Sequence, residues 1–271
     1  MINFKVKQVE QQTDTHGVFT LEPLEAGFGH TLGNCLRRVL LSSLEGAAIT
    51  SVKIDGTSHQ FSTLAGMSED VIELILNLKQ VRVKIFSDKP IKMTINVSGK
   101  AEVTASDIDT LGNGEIVNTS LHLASLTDAK SKLKVELTAE KGVGYVIADD
   151  KKTDELGVIP IDSIYTPVLA VNYTVEPTRV GRKSDYDKVT IDITTDGTIT
   201  PEDSLIQSSK LLSAFFKQVY DPTFEEEIIA ISTTISDDVL KMSVEELDLP
   251  VRITNALKAI EIDTVEKLTT V

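Results

Sequence analysis

The stretch from Gly27 to Leu44 constrains this chain more than any other, because it combines helical periodicity with an unusual outer face. It reads GFGHTLGNCLRRVLLSSL. Its apolar residues recur at the spacing of one face of an amphipathic helix, namely Leu32, Cys35, Leu36, Val39, Leu40 and Leu44. We predict Thr31 as the N-cap of this helix and Gly46 as the left-handed residue beyond its end.

The opposite side of the predicted helix carries Asn34, Arg38 and Leu41. A leucine beside an arginine on the polar side of a helix has two interpretations. It is either a stray exposed leucine, which is common, or part of a contact surface, since interfaces combine directed Arg donors with desolvated Leu area. The helix alone leaves both interpretations open.

Charge and composition limit the partners of the protein. The 271 residues are 41% hydrophobic and 25% charged, an ordinary globular composition for one large domain or two smaller ones. Lys and Arg number 27 against 41 Asp and Glu, giving a net charge of −14. Such an acidic surface repels phosphate, so any contact with DNA must be local. The single cysteine, the lack of a signal segment and the lack of a long apolar run predict a cytoplasmic protein with no membrane association.

Downstream of the first helix the pattern changes. Short strands separated by Gly, Asp and Asn turns are predicted from 47 to 170, with one helix that begins at a Ser68 cap. Thr200 and Pro201 then form a well-defined helix start, and that helix runs to about Tyr220. Its wide apolar face either completes the core or meets a partner subunit; it carries Leu205, Leu211, Leu212, Phe215, Phe216 and Val219.

The C-terminal part is predicted to consist of a linker, 229–235, and a separate helical unit, 236–271. Pro250 opens a helix there, with Ile253, Leu257 and Ile260 directed inward. Arg252, Asn255 and Lys258 lie along the opposite side of that helix.

No catalytic or metal-binding constellation is present in the sequence. The four histidines are scattered, the one cysteine lies on the apolar stripe, and Gly112-Asn113-Gly114 lacks the Lys-Ser/Thr of a phosphate loop. We therefore expect a non-catalytic protein that needs no cofactor and no metal.

Several motifs, in order along nearly the whole sequence, resemble the alpha subunit of bacterial DNA-directed RNA polymerase. They are Leu21-Glu22-Pro23-Leu24, the segment Gly27 to Asn34, Leu36-Arg37-Arg38, Val52 to Gly56, Asn77-Leu78-Lys79, Val171-Asn172-Tyr173 and Asp187-Lys188. The resemblance implies an α+β fold in which 1–46 and 171–228 form a discontinuous dimerisation domain. The strand-rich segment 47–170 would be inserted into that domain.

The resemblance also implies partners for the two faces of the first helix. A second alpha subunit, identical or divergent, would contact the dimerisation residues, namely Leu32, Leu36, Leu40, Leu212 and Phe216. The catalytic beta and beta′ subunits would bind Asn34, Arg38 and Leu41, with Lys79 as a further contact. Without the resemblance, Lys79 reads equally well as a solvated surface lysine.

The tail resembles the opening of the family's DNA-binding C-terminal domain. Arg252 and Asn255 would enter the minor groove of upstream promoter DNA, with Lys258 as a further DNA-binding residue. Glu246 and Asp248 would meet sigma or transcription activators. Since the sequence stops at Val271, before a second helical hairpin, we expect this domain to be incomplete here.

Two departures from the family pattern concern the body of the protein. The family usually has a proline where this sequence has Ile147, and a basic residue near Leu169 and Ala170.

Two functions from different classes remain open: an assembly subunit of the polymerase, and an acidic regulatory dimer outside it. An independent enzyme is a third class, but the sequence supplies no residues for one.

Overall fold

The computed structural model describes residues 4–222, except 9–12, 58, 152–154, 156 and 182. Three α-helices lie in this part of the protein: α1 (Phe28–Ser42), α2 (Val71–Leu78) and α3 (Pro201–Tyr220). The first strands are β1 (Lys5–Gln8), β2 (His16–Glu25), β3 (Glu45–Ile54), β4 (Val83–Ile85), β5 (Ile91–Ser98), β6 (Ala101–Thr104), β7 (Ile108–Asp109) and β8 (Gly114–Ile116). The later strands are β9 (His122–Leu126), β10 (Lys132–Val143), β11 (Tyr145–Val146), β12 (Val158–Pro160), β13 (Ser163–Ile164), β14 (Val168–Val180) and β15 (Lys183–Thr195). The predicted α+β class is confirmed.

One antiparallel sheet has four strands in the order β1-β2-β15-β14. Its centre joins distant parts of the sequence, since Thr20 of β2 pairs with Thr190 of β15. Helices α1 and α3 pack against it and against each other. Their shared core consists of Phe19, Leu21, Leu24, Leu36, Leu40, Leu44, Val168, Val171, Val189, Ile191, Ile193 and Leu205.

A second antiparallel sheet has five strands in the order β12-β3-β10-β5-β7. Alternating side chains of its long strands point inward, as Leu133, Val135 and Leu137 do from β10. Helix α2 contributes Val71, Leu74, Ile75 and Leu78 to the same core. Two-stranded pairs β4-β8, β6-β9 and β11-β13 complete the strand-rich region.

The two cores draw on different parts of the sequence. All buried members of the second core lie between Ile49 and Ile161. Members of the first core lie before and after that segment, from Phe19 to Leu44 and from Val168 to Leu205. The polypeptide therefore leaves the four-stranded sheet after α1, builds the five-stranded sheet, and then returns.

Three predicted helix boundaries need correction. Gly27, with φ of 87°, is the N-cap residue of α1, so Thr31 lies inside the first turn and caps nothing. Gly46 does not follow the helix end but lies within β3, opposite Gly142 of β10. A Cβ atom at Gly46 would collide with the carbonyl oxygen of Tyr165, and this close backbone approach explains the glycine.

The other corrected boundary is the start of α2. Asp70, not Ser68, caps this helix, because its carboxylate accepts a hydrogen bond from the backbone N–H of Glu73 at 2.7 Å. The predicted start of α3 is confirmed: the hydroxyl of Thr200 accepts from the N–H of Asp203 at 3.1 Å. Predictions for the linker 229–235 and the unit 236–271 lie outside the described residues.

Candidate subunit interface

Two glycines let α1 lie close to the four-stranded sheet. Gly29 and Gly33 are four residues apart, so both face the same side of the helix, and both are buried. A Cβ atom at Gly33 would lie 2.5 Å from the ring of Tyr173 in β14, and one at Gly29 would lie 2.7 Å from Val175. These clashes explain why the motif has glycine at both positions.

The N-terminus of α1 is capped from another part of the sequence. Helix α1 has no side-chain cap of its own and no acidic residue in its first turn. The Oδ2 atom of Asp187 in β15 accepts hydrogen bonds from the backbone N–H of Gly27 at 2.9 Å and of Gly29 at 3.0 Å. A carboxylate at this position satisfies free helix N–H groups and complements the positive end of the helix dipole. Sequence reasoning missed this role, although the Asp187-Lys188 motif was noted.

The apolar stripe of α1 faces the protein's own core. Leu36 and Leu40, predicted as dimerisation residues, are buried there and offer almost no accessible surface. Leu32 is half-buried against the same core. Of these three residues, only Leu32 therefore has surface available to a second subunit.

The outer face of α1 carries unpaired polar groups. Asn34 and Arg38 are exposed, and so is Arg37 beside them. Among the residues that the structure describes, neither arginine has a side-chain hydrogen bond or ion pair. Leu41 is half-buried against the core, so it is less exposed than its place off the apolar stripe suggested. The arginines are thus free to bind a partner.

Lys79 holds a loop rather than standing free in solvent. Its Nζ atom donates to Oδ2 of Asp162 at 2.6 Å, at the C-terminal end of α2. Oδ1 of Asp162 accepts a second bond, from the backbone N–H of Ala148 at 2.8 Å. The hydrogen bond from Lys79, followed by that from Ala148, holds the pKa of Asp162 below its usual value. The interpretation of Lys79 as a freely solvated lysine is therefore wrong.

Helix α3 divides into a packed half and an exposed half. Its first half buries Pro201, Ser204, Leu205 and Ser208, and Leu212 is half-buried against the core. Every residue from Ser213 to Tyr220 is exposed. The exposed apolar residues are Phe215, Phe216, Val219 and Tyr220, with 58%, 59%, 82% and 76% of their surface accessible. Such a cluster on a single subunit marks a contact surface.

The predicted residues of the tail cannot be placed. Glu246, Asp248, Arg252, Asn255 and Lys258 lie outside the described residues. In the part of the protein that is described, no group of three or more His, Cys, Asp or Glu residues is arranged to hold a metal ion. None of its helices is long and apolar enough to cross a membrane.

An apolar helix end and an unpaired arginine face are typical of a protein that works by associating with other proteins. Residues 52–166 match the family described as RNA polymerase Rpb3/RpoA insert domain. Residues 233–271 match the family described as the C-terminal domain of the alpha subunit of bacterial RNA polymerase.

Two relatives match almost the whole sequence. A DNA-directed RNA polymerase subunit alpha of Limosilactobacillus reuteri is 47% identical, over 99% of this chain and 88% of the relative. A protein of the same name from Symbiobacterium thermophilum is 46% identical, over 95% of this chain and 83% of the relative. This chain belongs to the alpha-subunit family of DNA-directed RNA polymerase, and it is a non-catalytic subunit of that nucleotidyl-transferring complex.

Proposed function

We propose that this protein dimerises through the exposed half of α3 and then recruits the catalytic subunits of the polymerase. The exposed apolar cluster of α3 carries this proposal, because four large apolar residues at one helix end need a covering surface. Phe216 belongs to this cluster, while Leu212 of the same helix and Leu32 of α1 are half-buried against the core. Leu36 and Leu40 would contribute indirectly, by packing α1 against its own core, and would not contact the second subunit.

The mate is a second alpha subunit, either identical or divergent. In a symmetric dimer both copies would contribute the same surface patch to the interface. This is the commonest form of dimer. Native mass spectrometry of the assembled polymerase distinguishes the two cases. Identical copies give one alpha-subunit mass, and divergent copies give two.

The outer face of α1 would bind beta or beta′. Asn34 and Arg38 are accessible there, and Leu41 adds apolar area beside them. Lys79 would contribute by fixing the loop around Asp162. The resulting complex would work in the cytoplasm, on the nucleoid.

The domain organisation is part of the same proposal. Residues 1–46 and 171–228 would form the dimerisation domain and 47–170 the insertion, a division that the two separate cores support. Residues 236–271, after a linker at 229–235, would bind promoter DNA through Arg252, Asn255 and Lys258. Glu246 and Asp248 would meet sigma or activators. The family match of the tail supports these assignments.

Arg38→Ala tests the recruitment step. We expect the dimer to stay intact while the affinity for purified catalytic subunits falls about 30-fold, since a central interface arginine contributes about 2 kcal/mol or more. Arg37→Ala is the matched control, because it removes the same charge from the neighbouring exposed position. Size-exclusion chromatography reports the dimer, and a titrated pull-down reports capture.

Two outcomes would contradict this assignment. If Arg38→Ala captures the subunits normally, the outer face of α1 is not the docking surface. If the protein purifies from its native cell as a dimer without larger stoichiometric partners, the proposed recruitment of the catalytic subunits is wrong.

A further inference from the structure

We infer that Asp187 is a positioning residue for the docking face of α1: by capping the helix from β15 it fixes where Arg38 points. This inference rests on the proposed function, since it assumes that Arg38 meets a catalytic subunit. Asp187 lies in β15, remote from Gly27 in sequence and outside the outer face of α1.

Hydrophobic burial alone does not fix the rotation of α1. Its apolar stripe is broad, and hydrophobic attraction has no direction. A helix with a broad stripe could rotate or tilt on the sheet and still bury comparable area. Arg38 would then point elsewhere, since each residue step corresponds to about 100° around the axis.

Directional contacts remove this freedom at two points. At the first, Asp187 accepts from the N–H groups of Gly27 and Gly29, at 2.9 Å and 3.0 Å. At the second, the ring of Tyr173 lies so close to Gly33 that no Cβ would fit between them. Both points lie on the sheet side of the helix, so together they set its rotation and its distance from the sheet.

The cap also controls the tilt of the helix. Arg38 lies about 16 Å along the helix axis from Gly27, at about 1.5 Å per residue. Over that length a tilt of about 10° displaces the arginine by about 3 Å, a whole hydrogen-bond length. Losing the cap would therefore misplace Arg38 without touching the docking face itself.

A double-mutant cycle between Asp187 and Arg38, made in the full-length protein, tests this role. The measured quantity is the dissociation constant for purified catalytic subunits, with the dimer and the urea unfolding midpoint recorded for each variant. We expect Asp187→Ala to weaken capture about tenfold and Arg38→Ala about 30-fold. In the double variant the affinity for the catalytic subunits should fall by at least about fivefold less than the product of the two single effects. Coupled residues are not additive.

Two further variants separate positioning from a general loss of stability. Asp187→Asn keeps an oxygen that can accept both bonds, so its capture should stay within about threefold of the wild type. Val135→Ala removes buried volume from the other core, so its effect should simply multiply with that of Arg38→Ala. If Asp187→Ala does not fold, Asp187→Ser takes its place in the cycle, because it also removes the carboxylate that accepts from the N–H groups of Gly27 and Gly29.

The possible failures are distinguishable. If Arg38→Ala weakens capture but its effect multiplies with that of Asp187→Ala, this inference is overturned and the proposed function stands. If Arg38→Ala has no effect on capture, the docking role of α1 is overturned, and the inference with it.

Discussion

At the scale of single residues, the turn from Thr110 to Asn113 conflicts with its own sequence. Both central residues have positive φ, 51° for Leu111 and 77° for Gly112, as in a type I′ turn. The N–H of Asn113 donates to the carbonyl of Thr110 at 3.1 Å, which closes the turn. Asn or Asp suits the first central position, whereas Leu is strained there. Leu111 is also exposed, so packing does not offset that strain.

Leu111→Asn should therefore stabilise the protein. We expect the free energy of unfolding to rise by about 1 kcal/mol. This is about what a left-handed backbone conformation costs a residue without a short polar side chain. Urea denaturation monitored by circular dichroism measures it. Leu111→Ala is the control, since alanine keeps the backbone strain and should change stability little. A destabilised Leu111→Asn would show that the leucine makes a contact worth more than the strain.

Residues also show where reasoning from sequence fails. The periodicity of α1 predicted the helix and the exposure of Asn34 and Arg38. It could not predict the cap, because Asp187 lies 160 residues from Gly27 in the sequence. Local patterns favoured Thr31 instead, since a hydroxyl near a helix start is the usual local solution.

At the scale of elements, the end of α2 is tied to the loop before β13 by the Lys79–Asp162 pair. Both side chains are about three-quarters buried, with 25% and 29% of their surface accessible. Asp162 also accepts from the backbone of Ala148, so one carboxylate joins three segments. The Asn77-Leu78-Lys79 motif indicated a functional lysine but not this partner, because nothing local predicts a partner so distant in sequence.

The contribution of this pair should depend on pH. The pKa of Asp162 is lowered in the folded protein, so its stabilisation is fully present above about pH 4, the ordinary Asp range. It is lost as the pH falls through the lowered folded-state value. Asp162→Asn should therefore cost about 1 kcal/mol at pH 7 and progressively less in acid.

Unfolding curves of wild type and Asp162→Asn at pH 7, 5, 4 and 3 measure this dependence. Asp88→Asn is a suitable control, because Asp88 pairs with Lys141 from a fully exposed position and should contribute little. A difference between wild type and Asp162→Asn that stays constant down to pH 3 would contradict the assignment.

Helix α3 illustrates what an element-level pattern leaves undecided. Its start was predicted correctly, because Thr200 and Pro201 are strong local signals. Its wide apolar face predicted either core packing or a partner. The structure assigns the first half of the helix to the core and leaves the second half uncovered. That division depends on where the sheet ends, and the sequence of the helix carries no information about the extent of the sheet.

At the scale of the whole molecule, the exposed half of α3 should govern the oligomeric state. Phe216→Ala should raise the dimer dissociation constant at least about 30-fold, since a central aromatic anchor contributes about 2 kcal/mol or more. Analytical ultracentrifugation over a concentration series measures it. Phe61→Ala removes an equally large exposed aromatic ring from the strand-rich region and should leave the dimer unchanged. A Phe216→Ala variant that dimerises like the wild type would place the interface elsewhere.

The pairing of β2 with β15 also decides when this protein finishes folding on the ribosome. Strand β2 and helix α1 are synthesised first, but the strands that cover them, β14 and β15, follow only after the whole five-stranded sheet. At about 5–20 residues per second, this wait lasts on the order of ten seconds. During it the inserted core can form from a contiguous segment, while the apolar stripe of α1 stays uncovered. A nascent polypeptide stalled before β15 should therefore bind chaperones or aggregate, even though its larger core is already complete.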